Sequence, residues 1–390
     1  MKQYLRIGFA AMLCMLLLVS TVAGEVSSEI STMDEDENLE EFIINIPAIS
    51  NKTLDNLKGN SNILKVQGEI PELESGKEVY EWTKQVDKIR VNIREDKSLD
   101  NYYYPSGPLL AYGTDAKGYF VVMLYDKAEI KDEDIDSIAE IITKYATKSS
   151  IKNVPIVFTT DELIRPVSSS VSTTSTAAIR TNPYLINYRP ITGGIAHSVY
   201  FPLLGQAQLG TIGFTAKRTS DSTLGYVIAG HVAGWQTGLS SYQPIYSAAN
   251  YNADVSVLGA NTDAAFVPYS NVVDDLHIGG GTFVDVYGTY SGGISGMQLT
   301  KSSTASGSVT GTYLAVLTGQ TVLGQFMDTI EVMSTACQGG DSGGPVYYTS
   351  SGRYRIVGII SANGTYNGAP ATIYIPYGEV ASKLGVKALK

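Results

Sequence analysis

The sequence predicts an all-β domain from about residue 191 to its end, preceded by a smaller α+β unit. Beyond 191 charges thin out while Gly, Ser, Thr and Tyr rise. Short β-prone runs recur there, at Thr211–Thr215, Tyr226–Ala229, Ala264–Val267, Thr282–Tyr287, Tyr313–Leu317, Tyr354–Ile360 and Thr372–Ile375, with Gly-rich turns between them. Many short strands with regular turn signals belong to β-barrels or sandwiches. Within this region only the tail, Tyr377 to Val386, reads as a helix.

In chain order, residues 1–24 read as a secretory signal peptide. Lys2 and Arg6 precede an apolar run from Ile7 to Val19, and Thr21-Val22-Ala23-Gly24 supplies small residues for cleavage. That run is short for a membrane span. Outside the leader only Cys337 remains, so the processed chain has no intramolecular disulfide, and Cys337 is expected to be a small buried hydrophobe.

Residues 25–100 are polar and acidic, and their first part has the composition of a disordered segment. Tyr119 to Tyr125 is an apolar, β-prone run. Asp132-Glu133-Asp134 then opens a helix whose dipole favours acid at that end, with Ile135, Ile138, Ile141, Ile142 and Tyr145 at helical spacing. Val154 to Phe158 reads as another strand. From Val167 to Ala178 only Ser, Thr, Val and Ala occur, the composition of an exposed linker. Residues 25–185 carry 17 basic and 28 acidic side chains, a net of −11, against 9 and 10 in 186–390. Neither part has a basic stripe, so nucleic acid is not an expected partner. No His/Cys/Asp/Glu cluster has ligand spacing, so no metal or cofactor is expected.

The chemistry centres on Gly340-Asp341-Ser342-Gly343-Gly344-Pro345. Glycines on both sides of Ser342 permit a tight turn that exposes a nucleophilic hydroxyl. The amides of Gly340 and Ser342 can converge there on a developing oxyanion. Such a serine needs a neutral imidazole within reach. The chain has three histidines. His231 ends the strand-like run Tyr226-Val-Ile-Ala-Gly-His231, whereas His197 and His277 lie in looser polar contexts and are expected at the surface. The imidazole in turn needs a carboxylate. Asp263, at the mouth of the apolar run Ala264–Val267, fits a buried acid, and Asp254 fits a turn aspartate.

With these residues placed, the stretch from about 191 to the end resembles chymotrypsin-fold serine peptidases of the secreted bacterial type, the alpha-lytic protease and streptogrisin group. The order His231, Asp263, Ser342 is that family's order. Ile191-Thr-Gly-Gly194 resembles its mature N-terminus and Gly210-Thr-Ile-Gly-Phe214 its first core strand. Ala229-Gly-His231, Thr262-Asp263-Ala264 and Ala336-Cys337 followed by the serine hexapeptide resemble its three catalytic segments. The resemblance covers a little over half the chain. It implies two six-stranded antiparallel β-barrels with a C-terminal helix, and a substrate-pairing strand at Ser361, Ala362 and Asn363. It also implies an internal cation for Asp341, for which Lys301 stands in the matching segment. The chain departs from the family at its disulfides. Gly210 and Val232 stand where one pair would be, Thr300 and Thr310 where the other would be, and Cys337 has lost its partner.

The resemblance implies a secreted, monomeric serine endopeptidase acting on proteins or peptides. The expected organisation is a signal peptide (1–24), an acidic α+β pro-region (25–166), a linker and processing region (167–190) and a peptidase domain (191–390). Maturation is expected between about Ala177 and Ile191, with the pro-region as folding aid or inhibitor. Two other readings stand beside it: a cell-surface binding protein on an inactive fold of this type, and a serine esterase.

Overall fold

The computed structural model describes residues 37–166, 169–171, 182–322 and 325–390. The expected leader and most of the Ser/Thr/Val/Ala linker lie outside the described residues. Asn38–Lys390 is one compact unit, and everything below concerns it.

In its N-terminal part a sheet of β1 (Ile63–Gln67), β2 (Leu109–Asp115), β3 (Phe120–Tyr125) and β4 (Ile156–Asp161) runs in the order β1-β4-β3-β2. Two helices accompany it, α1 (Gly76–Glu95) and α2 (Asp132–Lys148). The helix expected after Asp132 is present, and its Ile135, Ile138 and Ile142 share a core with Phe120, Val122 and Phe158 of the strands. The 20-residue α1 was not expected in so polar a stretch. Ser75 caps its first turn in a reciprocal box with Glu78, and Val86, Ile89 and Ile93 enter the same core.

Two short strands follow, β5 (Arg165–Pro166) and β6 (Ser169–Val171). The C-terminal part then opens with β7 (Ile191–Gly193), β8 (Ala196–Phe201), β9 (Gln206–Thr211), β10 (Thr215–Arg218), β11 (Leu224–Ile228), β12 (Ser240–Tyr242), β13 (Tyr251–Asp254), β14 (Val257–Leu258) and β15 (Ala265–Pro268). It continues through β16 (Val272–Gly279), β17 (Thr282–Thr289), β18 (Gln298–Ser303), β19 (Gly307–Val322), β20 (Gln325–Met333), β21 (Pro345–Ser350), β22 (Arg353–Tyr366) and β23 (Ala369–Pro376). Helix α3 (Tyr377–Leu384) and β24 (Val386–Ala388) end it.

Strands β19, β18, β21, β22, β23 and β20 pair antiparallel in that order, and β20 pairs back with β19. The remaining strands of this half fall mostly into two five-stranded sheets, β13-β12-β8-β9-β6 and β14-β15-β11-β10-β24. The chain passes from one to the other between β9 and β10. The run Thr211–Thr215, expected as a strand, is this corner: Ile212 N donates to Ile195 O in one sheet, and Gly213 N to Val227 O in the other. Backbone donors stay satisfied while direction changes, as at the corners of crossed sheets.

The two parts share one sheet. Residues Ala111–Asp115 of β2 pair antiparallel with Ala315–Gly319 of β19. Arg94 pairs with Asp328, Arg90 Nη1 donates to Thr318 Oγ1 at 2.8 Å, and Tyr366 OH donates to Asp115 Oδ2 at 2.6 Å.

Candidate active site

Three chain segments, far apart in sequence, meet at the edge between the paired ring and the two smaller sheets. His231 follows β11, Asp263 precedes β15, and Ser342 lies in the turn before β21. β11 and β15 are neighbours, with Ile228 opposite Ala265, so the residues just beyond that pair are brought together. His231 Nδ1 lies 2.7 Å from Asp263 Oδ2, and His231 Nε2 lies 2.8 Å from Ser342 Oγ. Asp263 Oδ1 also accepts the His231 backbone amide at 2.8 Å, and Ser361 Oγ donates to Oδ2. The carboxylate is therefore held at both oxygens and has no room to turn. Asp254, by contrast, is exposed on β13 and accepts from Ser240 Oγ at 2.8 Å.

The serine turn takes a shape closed to most side chains. Gly340 and Gly343 have φ of 101° and 87°. At Gly343 a Cβ would stand 2.4 Å from Thr211 O, so the position excludes any other residue. Gly343 N donates to Ile360 O at 2.7 Å, and Thr211 N donates to Ser342 O at 2.8 Å. The turn is thus pinned between β22 and β9.

Asp341 lies beneath it. Its Oδ2 is 2.9 Å from Lys301 Nζ, with both side chains fully buried. Oδ1 accepts the amides of Ala305 and Ser306, and Oδ2 accepts Gln338 N and Ser306 Oγ. Burial pushes this carboxyl up. The Lys301 charge and the hydrogen bonds outweigh burial and hold it below the usual carboxylate range.

Ser361, Ala362 and Asn363 lie on β22 beside the turn. Asn363 Oδ1 accepts the Cys337 amide at 3.2 Å, tying this strand to the serine segment. Cys337 is free and buried, and burial pushes its thiol up to about 12. It packs as a small hydrophobe.

At the two places where the resemblance implies disulfides, other groups fill the space. A Cβ on Gly210 would meet His197 Nε2 at 2.8 Å, Ser342 O at 3.0 Å and Val232 Cγ1 at 3.1 Å. The space a bridge would need is filled by the His197 ring and Val232. Thr300 and Thr310 stand directly opposite each other on β18 and β19, with their hydroxyls 2.8 Å apart. A hydrogen bond there is worth about 1 kcal/mol, less than a disulfide's typical 2–4 kcal/mol.

Two histidines expected at the surface are buried instead. His277 lies among Tyr184, Tyr188 and Phe283. Among the described residues His197 has no hydrogen-bond partner on either ring nitrogen, and burial pushes it down to about 3. A folded-state value below the ordinary 6.5 means the unfolded chain binds the proton first. Stability from keeping this ring neutral is present above about pH 6.5 and lost as pH falls towards about 3. His197→Leu should therefore flatten the acid side of the stability profile, by at most about 5 kcal/mol for a shift of this size. Denaturant melts of both proteins between pH 7 and pH 4 check this; parallel curves would count against it.

No protein-family model matches this chain, and no curated protein matches it in sequence. Solved structures are similar to about half of it. They include a Nocardiopsis protease (21% identity, 51% of this chain and 99% of that one, TM-score 0.40), Thermobifida fusca protease A (21%, 51% and 98%, 0.37) and a Cellulomonas bogoriensis chymotrypsin (21%, 51% and 98%, 0.40).

Proposed function

We propose that this chain is the precursor of a secreted serine endopeptidase. The observation that carries the reading is the buried line from Asp263 through His231 to Ser342, with both links at hydrogen-bond distance. Asp263 accepts the Nδ1 proton, which leaves Nε2 unprotonated and facing the Ser342 hydroxyl. His231 takes the hydroxyl proton as Ser342 attacks a peptide carbonyl, and Asp263 stabilises the imidazolium that forms. His231 then returns the proton to the leaving amine. The amides of Gly340 and Ser342 bind the oxyanion, with the turn held from below by the Lys301–Asp341 pair. Water releases the acyl group by the same steps in reverse.

In this reading 191–390 is a two-barrel peptidase domain, and the six-strand circuit of β18 to β23 is its second barrel. Residues 25–166 are a pro-region that remains an intramolecular partner through the shared β2–β19 edge. Substrate backbone runs along Ser361, Ala362 and Asn363. The processed enzyme acts as a monomer.

A serine-directed phosphonylating reagent should label Ser342 stoichiometrically, and Ser342→Ala should abolish both labelling and peptide hydrolysis. A folded protein that neither reacts nor cleaves would leave a binding role on the same fold. Ester turnover without peptide turnover would make it an esterase.

A further inference from the structure

We propose that Thr211 is a positioning residue for the oxyanion site, acting through its hydroxyl on Gly340. This rests on the reading of Ser342 as a peptidase nucleophile and deepens it. Thr211 ends β9 and is fully buried. Its Oγ1 lies 2.7 Å from Gly340 O, 2.9 Å from Thr304 Oγ1 and 3.0 Å from Thr304 N. A hydroxyl has one proton to donate and two lone pairs with which to accept. Gly340 O can only accept, so the Thr211 proton goes there. Thr304 then supplies both donors, its amide and its own hydroxyl. Every bonding position of the Thr211 oxygen is used, and its proton has one direction in which to point.

Gly340 and Ser342 are the residues whose amides form the proposed oxyanion site, and Thr211 holds the carbonyls of both. Its main-chain N–H donates to Ser342 O at 2.8 Å, and its hydroxyl donates to Gly340 O. The Gly340–Asp341 peptide is held at its other end as well, where Asp341 N donates to Gln338 O at 3.0 Å. Residue type makes this bond matter. Gly340 has φ of 101°, and a glycine has no Cβ to oppose rotation about its backbone bonds. Holding its carbonyl sets one of those rotations from outside. The brace also spans the cleft. β9 belongs to the sheet β13-β12-β8-β9-β6, whereas the serine turn leads into β21 of the six-strand ring. Thr304 lies in the turn between β18 and β19, beside Ala305 and Ser306, whose amides bind Asp341. One hairpin turn thus supports both Asp341 and Thr211.

The consequence falls on the transition state. A substrate carbonyl oxygen carries little charge in the ground state and a full negative charge in the tetrahedral intermediate. An amide turned slightly aside loses little with the first and much with the second. Loss of the hydroxyl should therefore appear in kcat and in affinity for a tetrahedral analogue, while ground-state binding along β22 persists. A hydroxyl that only satisfied buried polar groups would change stability and leave both readouts alone. Valine has the shape of threonine, but it places a methyl group where the hydroxyl stood, 2.7 Å from Gly340 O, and takes away the acceptor of Thr304 N.

The test compares Thr211→Val, Thr211→Ala and Thr211→Ser with the parent, each expressed as the full chain. Peptide hydrolysis is normalised by titration with the phosphonylating reagent. Inhibition by a peptide boronic acid, which forms a tetrahedral adduct on a nucleophilic serine, is measured beside it. Thr211→Val and Thr211→Ala should lower kcat about tenfold to a hundredfold, short of the 10²–10³ lost with an oxyanion donor itself, with KM changed by no more than about twofold. The Ki of the boronic acid should rise by the same factor as kcat/KM falls. Thr211→Ser keeps the hydroxyl and should recover most of the loss. Thr211→Ala introduces no clash, so it carries the test where Thr211→Val does not fold; if neither folds while Thr211→Ser does, the hydroxyl is a structural group and the proposal fails. It also fails if kcat is unchanged, if only KM moves, if boronic acid affinity stays constant, or if Thr211→Ser is as slow as Thr211→Val. An active parent with an equally active Thr211→Val loses only this inference, whereas a parent that neither hydrolyses peptide nor takes the reagent loses the peptidase reading.

Discussion

Asp263→Asn should lower kcat/KM on a peptide substrate by about four orders of magnitude, the usual effect of losing the acid that sets the tautomer of a catalytic imidazole. Asp263 Oδ2 faces His231 Nδ1 at 2.7 Å, and Oδ1 accepts the His231 amide at 2.8 Å. An asparagine has one acceptor oxygen where the carboxylate serves two His231 donors and Ser361 Oγ. If that oxygen stays with the backbone amide, the NH2 group faces Nδ1, and the imidazole must carry its proton on Nε2. Nε2 then cannot take a proton from Ser342. The side chain's volume is unchanged, so thermal unfolding should show a folded protein. Asp254→Asn, on the exposed edge of β13, should change activity by no more than about twofold, the range of ordinary surface substitutions. Steady-state kinetics on both variants decides between them, and the opposite ranking would remove Asp263 from its proposed role.

Asp263 is legible in the amino-acid sequence, and other features are not, for a physical reason. Its signal is local: an acid at the mouth of Ala264–Val267 is carried inward by the strand that follows. His231 likewise ends an apolar run. His197 has no such mark. Its strand, Ala196-His-Ser-Val-Tyr-Phe201, mixes polar and apolar residues, and the ring is buried because Gly210 on the paired strand leaves it space. That is a property of two strands together. Helix α1 is hidden by its many exposed charges, although the Ser75…Glu78 cap is in plain view. The six-strand circuit depends on pairings between strands distant in sequence, β18 with β21 (Lys301 opposite Val346) and β20 with β23 (Val332 opposite Ile373), and no local pattern records which of these strands is whose neighbour. The placement of β5 and β6 is the extreme case. Composition marks the connector as linker, and only its partners β22 and β9 show where it runs.

Lys301→Met should destabilise the protein by about 3–5 kcal/mol, the cost of leaving one member of a buried ion pair alone. Methionine keeps much of the side chain's length, so the loss is of charge and not of packing. The remaining partners of Asp341, the amides of Ala305, Ser306 and Gln338 and the Ser306 hydroxyl, soften the loss and place it nearer the lower figure. The pH dependence separates charge from packing. In the native protein the Asp341 carboxyl is held below its ordinary range, so its contribution to stability is present above about pH 3.8 and lost as pH falls through the lower folded value. Without Lys301, burial is no longer outweighed by a cation and the folded-state value rises. The variant then loses stability as pH climbs, where an ionised Asp341 is unpaired. The gap between the two proteins should be smallest in acid and largest near neutrality. In turnover, kcat should fall more than KM rises, because the turn that carries the Gly340 and Ser342 amides loosens while the β22 edge stays in place. A variant as stable as the parent, or a stability gap that does not change with pH, would show that the pair does not hold the turn.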